Sequence, residues 1–217
     1  MTKCIALNVK INWKDRIMEL VTINSETLSV LLKGGMVASG KDKTLPILNS
    51  VRMEIREPLV RVVSTDRYRL VIGDVDMPEG ASMEIGAFNL PVDSVKDLVK
   101  MLPVKRGSGD VVIELSDDEK YVSFTYDGSE GRWNREYLLL TGEFPRYESL
   151  IPTVFEGTDR INFNPSFMAD IAKLPARDKH TPVRMQLQGA NKPMFGTLDG
   201  ASGVSWSYML MPWRLPE

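Results

Sequence analysis

Hydrophobic and polar residues alternate along much of this chain, and helical spacing replaces the alternation in three short stretches. The first repeat unit opens with a predicted strand over residues 17–23, after which Asn24-Ser25 can cap a helix. Leu28, Leu31 and Leu32 give this helix one apolar side, and Gly34-Gly35 weakens or ends it. Three further strands are predicted, with Glu57-Pro58 as the first turn, at Ser50–Arg56, Leu59–Thr65 and residues 67–76.

The same order of elements recurs twice, at a period of roughly 65–70 residues and with little sequence identity. The second unit has a helix that Pro91 opens and Pro103 stops, and the third has a helix from Pro165 to Leu174. The predicted strands of these two units lie at 82–87, 110–115, 121–126, 132–140, 160–163, 183–188, 193–198 and 204–210. Three helices among about twelve strands predict an α+β fold, with helices on one face of antiparallel sheets.

Residues 1–16 stand outside this repeat, and we expect them to add an edge strand at residues 5–11. The other end of the chain is unusually apolar for a terminus. Burial of Met209, Met211, Trp213 and Leu215 would contribute roughly 1.5–3 kcal/mol each, so this end is predicted to be docked. Two interpretations are open: it is the last core strand, or it is one wall of a Met- and aromatic-lined pocket that repacks around several partners.

Composition narrows the class of protein. The chain has 217 residues, of which 43% are hydrophobic and 26% charged, as in an ordinary globular protein with one large or two modest domains. A single cysteine, Cys4, excludes an intrachain disulfide and fits a reducing compartment. The apolar run from residue 4 to residue 9 is too short for a signal peptide, and no stretch is long enough to span a membrane. We therefore expect a cytoplasmic protein.

Charge argues against a nucleic-acid binder that relies on bulk positive charge, because the net charge is −2 and the pI is near 5.6. Basic residues nevertheless gather near the predicted helices, whereas acidic residues gather in turns and strands. The basic residues are interpreted either as ordinary solvated surface or as a weakly basic, helix-lined surface that contacts phosphates without recognising bases. The basic residues of this candidate DNA-facing set are Lys33, Lys41, Lys43, Lys96, Lys100, Lys105, Arg106, Lys173, Arg177 and Lys179.

Catalytic chemistry finds little support. The only histidine, His180, lies in a loop composition, and Cys4 has no base near it in the sequence. Asp117-Asp118-Glu119 lacks the spacing of a calcium loop and is interpreted as a solvated turn. Gly107-Ser108-Gly109 matches neither a P-loop nor a dinucleotide-binding fingerprint. We therefore predict no catalytic residues, no cofactor and no metal.

Four motifs, in order and at compatible spacing, resemble the bacterial sliding clamps, the β processivity subunits of replicative DNA polymerases. The resemblance covers residues 17–217 and implies a clamp fold with a complete middle domain (17–152) and half of a last domain (153–217), after an extension (1–16). The motifs are Thr44-Leu45-Pro46-Ile47-Leu48-Asn49, Ser64-Thr65-Asp66-Arg67-Tyr68-Arg69-Leu70, Gly142-Glu143-Phe144-Pro145-Arg146-Tyr147 with Leu150-Ile151-Pro152, and Met211-Pro212-Trp213-Arg214-Leu215.

The resemblance also implies a hydrophobic pocket for linear peptides between the two domains, and it places Lys41 and Lys43 on a loop that approaches DNA. Thr65 and Asp66 have an alternative role as turn formers, and Leu48 and Leu70 as ordinary core. Trp213 replaces a usually smaller apolar residue and Ser149 a basic one, which bears on peptide preference. The implied pocket residues are Leu48, Thr65, Arg67, Tyr68, Arg69, Leu70, Pro145, Ser149, Leu150, Met209, Met211, Pro212, Trp213, Arg214 and Leu215.

The implied function is that of a non-enzymatic processivity factor. The implied partners are duplex DNA, which it encircles without sequence preference, and a polymerase and a clamp loader, which it holds through their peptides. Family rings contain twelve half-domains and this chain supplies three, so a homotetramer closes a ring arithmetically, while a dimer or a monomer stays open as an alternative. A second hypothesis is a clamp-derived adaptor that binds polymerase peptides without encircling DNA. A third, a small-molecule enzyme on the same fold, lacks a titratable cluster.

Overall fold

The computed structural model describes residues 17–42, 44–77, 84–105, 107–151, 161–187, 189 and 191–213. Three α-helices and eleven strands occur in these ranges. The helices are α1 (Ser25–Gly35), α2 (Val92–Met101) and α3 (Pro165–Asp170). The strands are β1 (Ile17–Asn24), β2 (Ser50–Arg56), β3 (Leu59–Thr65), β4 (Arg69–Asp76), β5 (Gly86–Pro91), β6 (Gly109–Ser116), β7 (Tyr121–Gly128), β8 (Gly131–Leu138), β9 (Arg184–Gln186), β10 (Met194–Asp199) and β11 (Ser205–Leu210).

The predicted α+β class is confirmed, and its local causes are visible. Asn24 caps α1 as expected, because its side-chain oxygen accepts a hydrogen bond from the backbone N–H of Glu26 at 3.0 Å. The apolar side of α1 is fully buried through Leu28 and Leu31, and the helix ends at Gly35. Helix α2 buries Val95 and Leu98 and leaves its charged side exposed.

The strands form two antiparallel sheets. One has seven strands in the order β5-β2-β3-β4-β11-β10-β9, and the other has four in the order β1-β6-β7-β8. The first two repeat units exchange their opening strands. Strand β5, which opens the second unit, pairs with β2 of the first unit, and β1, which opens the first unit, pairs with β6 of the second. Helix α1 contacts both sheets and also α2, so a single main core lies beneath the helices.

Two predicted boundaries are wrong. The strand expected at 82–87 is β5, which runs to Pro91, because Phe88 and Leu90 alternate into the core and Pro91 itself is the cap of α2. Residues 161–164 form no strand, and α3 is a single short helix continued by a 3₁₀ turn at Ile171–Lys173. The edge strand predicted at residues 5–11, with Cys4, lies outside the described residues.

The third unit joins the first through a continuous ladder between β4 and β11, in which six residue pairs face each other from Ser205↔Asp74 to Leu210↔Arg69. Trp206 lies opposite Gly73 in this ladder and is buried, and its indole N–H donates to the carbonyl of Pro175 at 3.1 Å. Glycine is required at Gly34 and Gly73, where a Cβ atom would overlap the indole ring. Trp206 thereby fastens the third unit to α1 and β4. We call this junction the β4–β11 seam.

Candidate functional site

A second, smaller apolar cluster lies on the face of the seven-stranded sheet that points away from the helices. Along β3 and β4, Val62 and Val71 join the main core, whereas their neighbours Val63 and Leu70 join this outer cluster. Met209 of β11 packs there as well, so the cluster bridges the seam. The outer cluster therefore has members from both the first and the third repeat unit.

The segment that follows the second unit, residues 142–150, covers one side of the outer cluster, and we call it the covering segment. Phe144 and Tyr147 pack into it edge to face, with ring centroids 6.5 Å apart. The Tyr147 hydroxyl donates to Oε2 of buried Glu54 at 2.8 Å, and burial raises the pKa of Tyr147 to about 12. Arg52 and Arg56 hold the same carboxylate at 2.6 and 2.5 Å. This network fixes the covering segment to β2.

Beside the carboxyl end of β11 lies a patch of partly exposed apolar side chains, which we call the seam patch. It consists of Tyr68, Phe167, Met211 and Trp213. Tyr68 is 58% exposed, Met211 45% and Trp213 54%. The Met211 N–H donates to the carbonyl of Tyr68 at 3.1 Å, and the rings of Tyr68 and Phe167 stack with centroids 6.4 Å apart. Large side chains exposed together in this way are typical of a binding surface.

Arg69 supports the seam patch from within. Its guanidinium group forms ion pairs with Asp66, at 3.0 Å, and with Asp170 of α3, and it lies 4.9 Å from the centre of the Phe167 ring. The Arg69 side chain is only 10% exposed, as is that of Asp170. Arg69 therefore holds α3, and with it Phe167, against β4.

The loop before β4 is built by local hydrogen bonds. Thr65 Oγ1 donates to the carbonyl of Arg69 at 2.8 Å, and Asp66 Oδ1 accepts from the N–H groups of Tyr68 and Arg69 at 3.1 Å. Arg67 has a positive φ of 77°, and its side chain is exposed at the tip. Thr65 and Asp66 thus adopt the alternative role of turn formers, and the turn presents Arg67 and Tyr68 to solvent.

The structure describes thirteen of the fifteen implied pocket residues. Four of them are buried, and nine are exposed or half-buried. Of the two interpretations of the apolar chain end, the last core strand applies only as far as Leu210, where β11 ends; Met211 and Trp213 follow it about half exposed, with backbone hydrogen bonds to Tyr68 and Asn162. The buried residues are Leu48, Thr65, Leu70 and Met209, of which Leu70 and Met209 belong to the outer cluster; the exposed or half-buried residues are Arg67, Tyr68, Arg69, Pro145, Ser149, Leu150, Met211, Pro212 and Trp213; Arg214 and Leu215 lie outside the described residues.

These residues do not all meet at the seam patch. Pro145 lines a separate, polar cavity of about 300 Å³ beside Glu54 and Tyr147. Leu150 is 52% exposed and lies next to Ile151, which packs on the outer cluster. The structure adds Phe167 and Asp170, which sequence reasoning missed. Both lie within the helix predicted from Pro165 to Leu174, and the sequence pattern gave no indication that Phe167 stacks on Tyr68.

The basic residues of the candidate DNA-facing set are all exposed where the structure describes them, but several are already paired. Lys96 binds Asp93 at 2.8 Å within α2, and Lys105 binds Glu130 at 3.1 Å. Others of the set, Lys173 and Arg177, also form ion pairs, with Asp170, Asp178 and Asp199. Among the described residues, four lysines of the set form no ion pair, namely Lys33, Lys41, Lys100 and Lys179. Lys43 and Arg106 lie outside the described residues.

The residues considered for catalysis are placed as turn components. His180 is exposed, and its backbone N–H donates to Asp178 at 2.7 Å. Asp118 binds Ser116 and Lys120 across the β6–β7 turn, and the hydrogen bond from Lys120 lowers the pKa of Asp118 to about 2. Within the described ranges, no three His, Cys, Asp or Glu residues are grouped as a metal site would require, and no helix is long and apolar enough to cross a membrane.

Comparison with known proteins identifies the family. Residues 22–146, more than half of the chain, match the model of the central domain of the DNA polymerase III beta subunit. The chain belongs to this family. The matched range contains α1, α2 and β2–β8, so it begins within β1 and covers both sheets up to the seam.

Individual family members extend the similarity beyond that range. The beta sliding clamp of Streptomyces coelicolor is 32% identical over 187 residues, which is 84% of this chain and 48% of that protein. The chain thus spans about half the length of this curated relative.

Solved structures of sliding clamps share the fold. The beta subunit from Thermotoga maritima superposes with a TM-score of 0.72 at 19% identity, over 91% of this chain and 66% of that one. The Pseudomonas aeruginosa clamp bound to griselimycin superposes with a TM-score of 0.71 at 17% identity, over 89% of this chain and 65% of that one. The clamp fold expected from the sequence motifs is confirmed.

Proposed function

We propose that this chain is a DNA polymerase processivity factor: it contributes to a ring around duplex DNA and tethers the polymerase through the seam patch. The ring replaces tight binding by topology, and the tether raises the local concentration of polymerase at the primer end. The role requires no catalytic group, no cofactor and no base-specific contact. It places the protein in the cytoplasm, with the polymerase and the clamp loader as peptide-bearing partners.

The observation that carries this proposal is the position of the seam patch. In a chain of the beta subunit family, three large apolar side chains are about half exposed beside a junction of two repeat units. A surface of this kind suits a short apolar peptide, since aromatic and methionine side chains supply much contact area at low entropic cost. The Pseudomonas aeruginosa clamp has been solved with griselimycin bound, which supports a ligand site in a related protein.

A peptide-binding measurement tests the tether. Replacement of Met211 and Trp213 by alanine should weaken the binding of a fluorescent clamp-binding peptide by about 2 kcal/mol or more, which raises its Kd about thirtyfold. Both side chains are about half exposed, so the fold should survive the change. Fluorescence anisotropy measures the affinity, and circular dichroism measures the fold.

The matched control is Ile85→Ala, which removes a side chain that is 76% exposed before β5, four strands away from β11. This variant should bind the peptide as the unaltered protein does. An unchanged affinity in the Met211 and Trp213 variant would remove the seam patch from the binding site.

DNA retention tests the ring. The protein is loaded onto nicked circular DNA by a bacterial clamp loader with ATP, and the amount retained is compared before and after the circle is linearised. A closed ring remains on circular DNA and slides off the ends of linear DNA. Replacement of Lys96 and Lys100 by glutamate should shorten retention on the circle, because two cationic contacts to phosphates become repulsive. Peptide affinity should not change.

A matched variant carries the same change of charge away from the helices. Lys120→Glu with Arg146→Glu alters one residue in the β6–β7 turn and one in the covering segment. Equal losses in the two variants would mean that helix α2 does not face DNA. Retention that is the same on circular and linear DNA would favour the adaptor, which binds polymerase peptides without encircling the duplex.

A further inference from the structure

A cavity of about 390 Å³ lies between the two sheets, and we call it the intersheet cavity. Both sheets line it, because its wall includes Phe88 of β5 and Leu115 of β6. These two side chains are buried, as is that of Leu139, which also lines the cavity, so one wall is apolar. The volume is within the range of pockets that hold small organic molecules.

A short segment after β8 brings two polar residues of the cavity wall together. The Leu139 N–H donates to the carbonyl of Lys120 at 2.8 Å, and the Leu140 N–H donates to the carbonyl of Asn89 at 2.9 Å. Lys120 belongs to the turn between β6 and β7, whereas Asn89 belongs to β5. Because the two leucines are consecutive, Lys120 and Asn89 are held close to each other although they come from different sheets, and both line the cavity.

The side chain of Asn89 is positioned by one half of its amide group. Asn89 is only 7% exposed, and its Oδ1 accepts a hydrogen bond from Nη1 of Arg52, its neighbour on β2, at 3.3 Å. In the part of the chain that the structure describes, no hydrogen bond uses the Nδ2 donor of this amide. The donor half of a fixed amide group is therefore available to an acceptor on a ligand.

Arg52 and Lys120 contribute donors that carry positive charge, and Arg52 lines the cavity as well. The Arg52 Nε donates to Glu54 at 2.6 Å, which fixes the orientation of the guanidinium group. A guanidinium group has more N–H donors than those that bind Glu54 and Asn89. The Lys120 Nζ donates to Asp118 at 3.0 Å and retains further N–H donors. The cavity wall therefore has two cationic donor groups beside the neutral amide.

The acceptor groups of the cavity wall are mostly satisfied. Both carboxylate oxygens of Asp118 already accept hydrogen bonds, one from Ser116 and the other from the Lys120 ammonium group. Glu119 is exposed at the tip of the turn, and among the described residues that line the cavity it is the carboxylate that forms no ion pair. The cavity thus offers an excess of donors, with one opposing charge at its rim.

We propose that the intersheet cavity binds a small organic phosphate, with the phosphate group against the polar wall and the organic part against the apolar wall. A phosphate monoester carries negative charge and three terminal oxygens, which match three donor groups held on β2, β5 and the β6–β7 turn. A carboxylate has two oxygens and is the poorer match. The donor residues are Arg52, Asn89 and Lys120. This inference goes beyond the proposed function and does not depend on it, because no residue of the seam patch lines the cavity.

Isothermal titration calorimetry of the full chain tests the ligand class, with phenyl phosphate as the probe in a phosphate-free buffer. Phenyl phosphate should bind at least about tenfold more tightly than inorganic phosphate, which lacks the organic part, and than benzoate, which carries a carboxylate. Phenol, which has no anionic group at neutral pH, should bind more weakly by the same factor or not at all. An equal affinity for any of the three comparison compounds, or no binding of phenyl phosphate, would overturn the proposal.

An isosteric substitution tests the buried amide. Asn89→Asp keeps the acceptor that binds Arg52 and replaces the Nδ2 donor by a second acceptor. The Kd of phenyl phosphate should rise about tenfold or more, because a carboxylate then faces the phosphate group. Thermal unfolding without the probe shows whether the variant is folded, and a folded variant with an unchanged Kd would overturn the proposal.

Two residues of the β6–β7 turn should give effects of opposite sign. Lys120→Gln removes a cationic donor and should raise the Kd of phenyl phosphate about threefold or more. Glu119→Gln removes the opposing charge and should lower the Kd about threefold. Both side chains are exposed, so these two variants test the site even if Asn89→Asp does not fold.

The matched control is Arg184→Gln, which also removes one positive charge from an exposed side chain. Arg184 lies on β9, at the opposite edge of the seven-stranded sheet from β5, so the Kd of phenyl phosphate should stay the same. Equal effects of Arg184→Gln and Lys120→Gln would mean that binding follows only the net charge of the protein, and would overturn the proposal. A Glu119→Gln variant that binds phenyl phosphate no more tightly than the unaltered protein would overturn it as well.

Discussion

At the scale of single residues, Arg69 links the two parts of the candidate site. It lies on β4, yet its charge is compensated by Asp170 on α3, and its flat guanidinium face covers the Phe167 ring. The second cation on Asp170 is Lys173, whose side chain is 68% exposed. The same carboxylate therefore has one buried and one solvated partner, and the two contacts differ in energetic weight.

This difference gives a stability prediction. Asp170→Asn leaves the Arg69 charge buried with one carboxylate fewer, and should lower the free energy of unfolding by about 3 kcal/mol or more. Lys173→Ala removes only the solvated partner and should cost about 1 kcal/mol or less. Urea denaturation followed by tryptophan fluorescence measures both values.

A double replacement provides the internal check. Arg69→Met with Asp170→Leu removes both charges of this pair and should be less destabilising than Asp170→Asn. No buried cation is then left without its partner on α3, and Asp66 keeps its hydrogen bonds from the backbone N–H groups at positions 68 and 69. Equal effects of Asp170→Asn and Lys173→Ala would contradict the assignment of Arg69 as the support of α3.

At the scale of elements, periodicity predicted most of the fold because most strands have one buried and one solvated face. Strands β2 and β3 begin and end where the alternation predicts. It failed at β5, where the buried Phe88 and Leu90 adjoin a proline that can either end a strand or start a helix. It also failed before α3, where residues 161–164 are held by tertiary contact with the chain end and not by a sheet.

The candidate site was harder to predict from sequence than the fold. Family motifs identified the loop before β4 and the chain end, but the stacking of Tyr68 on Phe167 joins residues about a hundred positions apart that share no local pattern. The glycines around Trp206 illustrate the same limit. Gly34 was predicted only as a helix-weakening residue, whereas its role is to admit an indole ring from β11.

At the scale of the whole molecule, the β4–β11 seam makes the first and third units one structure. The seven-stranded sheet runs through both, and the main core includes α1 residues together with Trp206 and Leu174. The proposed boundary near residue 152 then separates repeat units in sequence without separating their cores. Peptides bound at the seam patch would contact both units at once.

The last prediction follows from this shared core. Trp206→Ala should lower the free energy of unfolding by about 3–5 kcal/mol, because a buried indole leaves a large cavity between α1, β4 and β11. Hydrogen exchange should show that amides of β4 and β11 lose protection together, whereas Tyr121→Ala, at a side chain that is 40% exposed on β7, should leave both protected. Loss of protection in β11 alone, with β4 unchanged, would mean that the third unit unfolds as a separate body and that the seam is a contact between two domains.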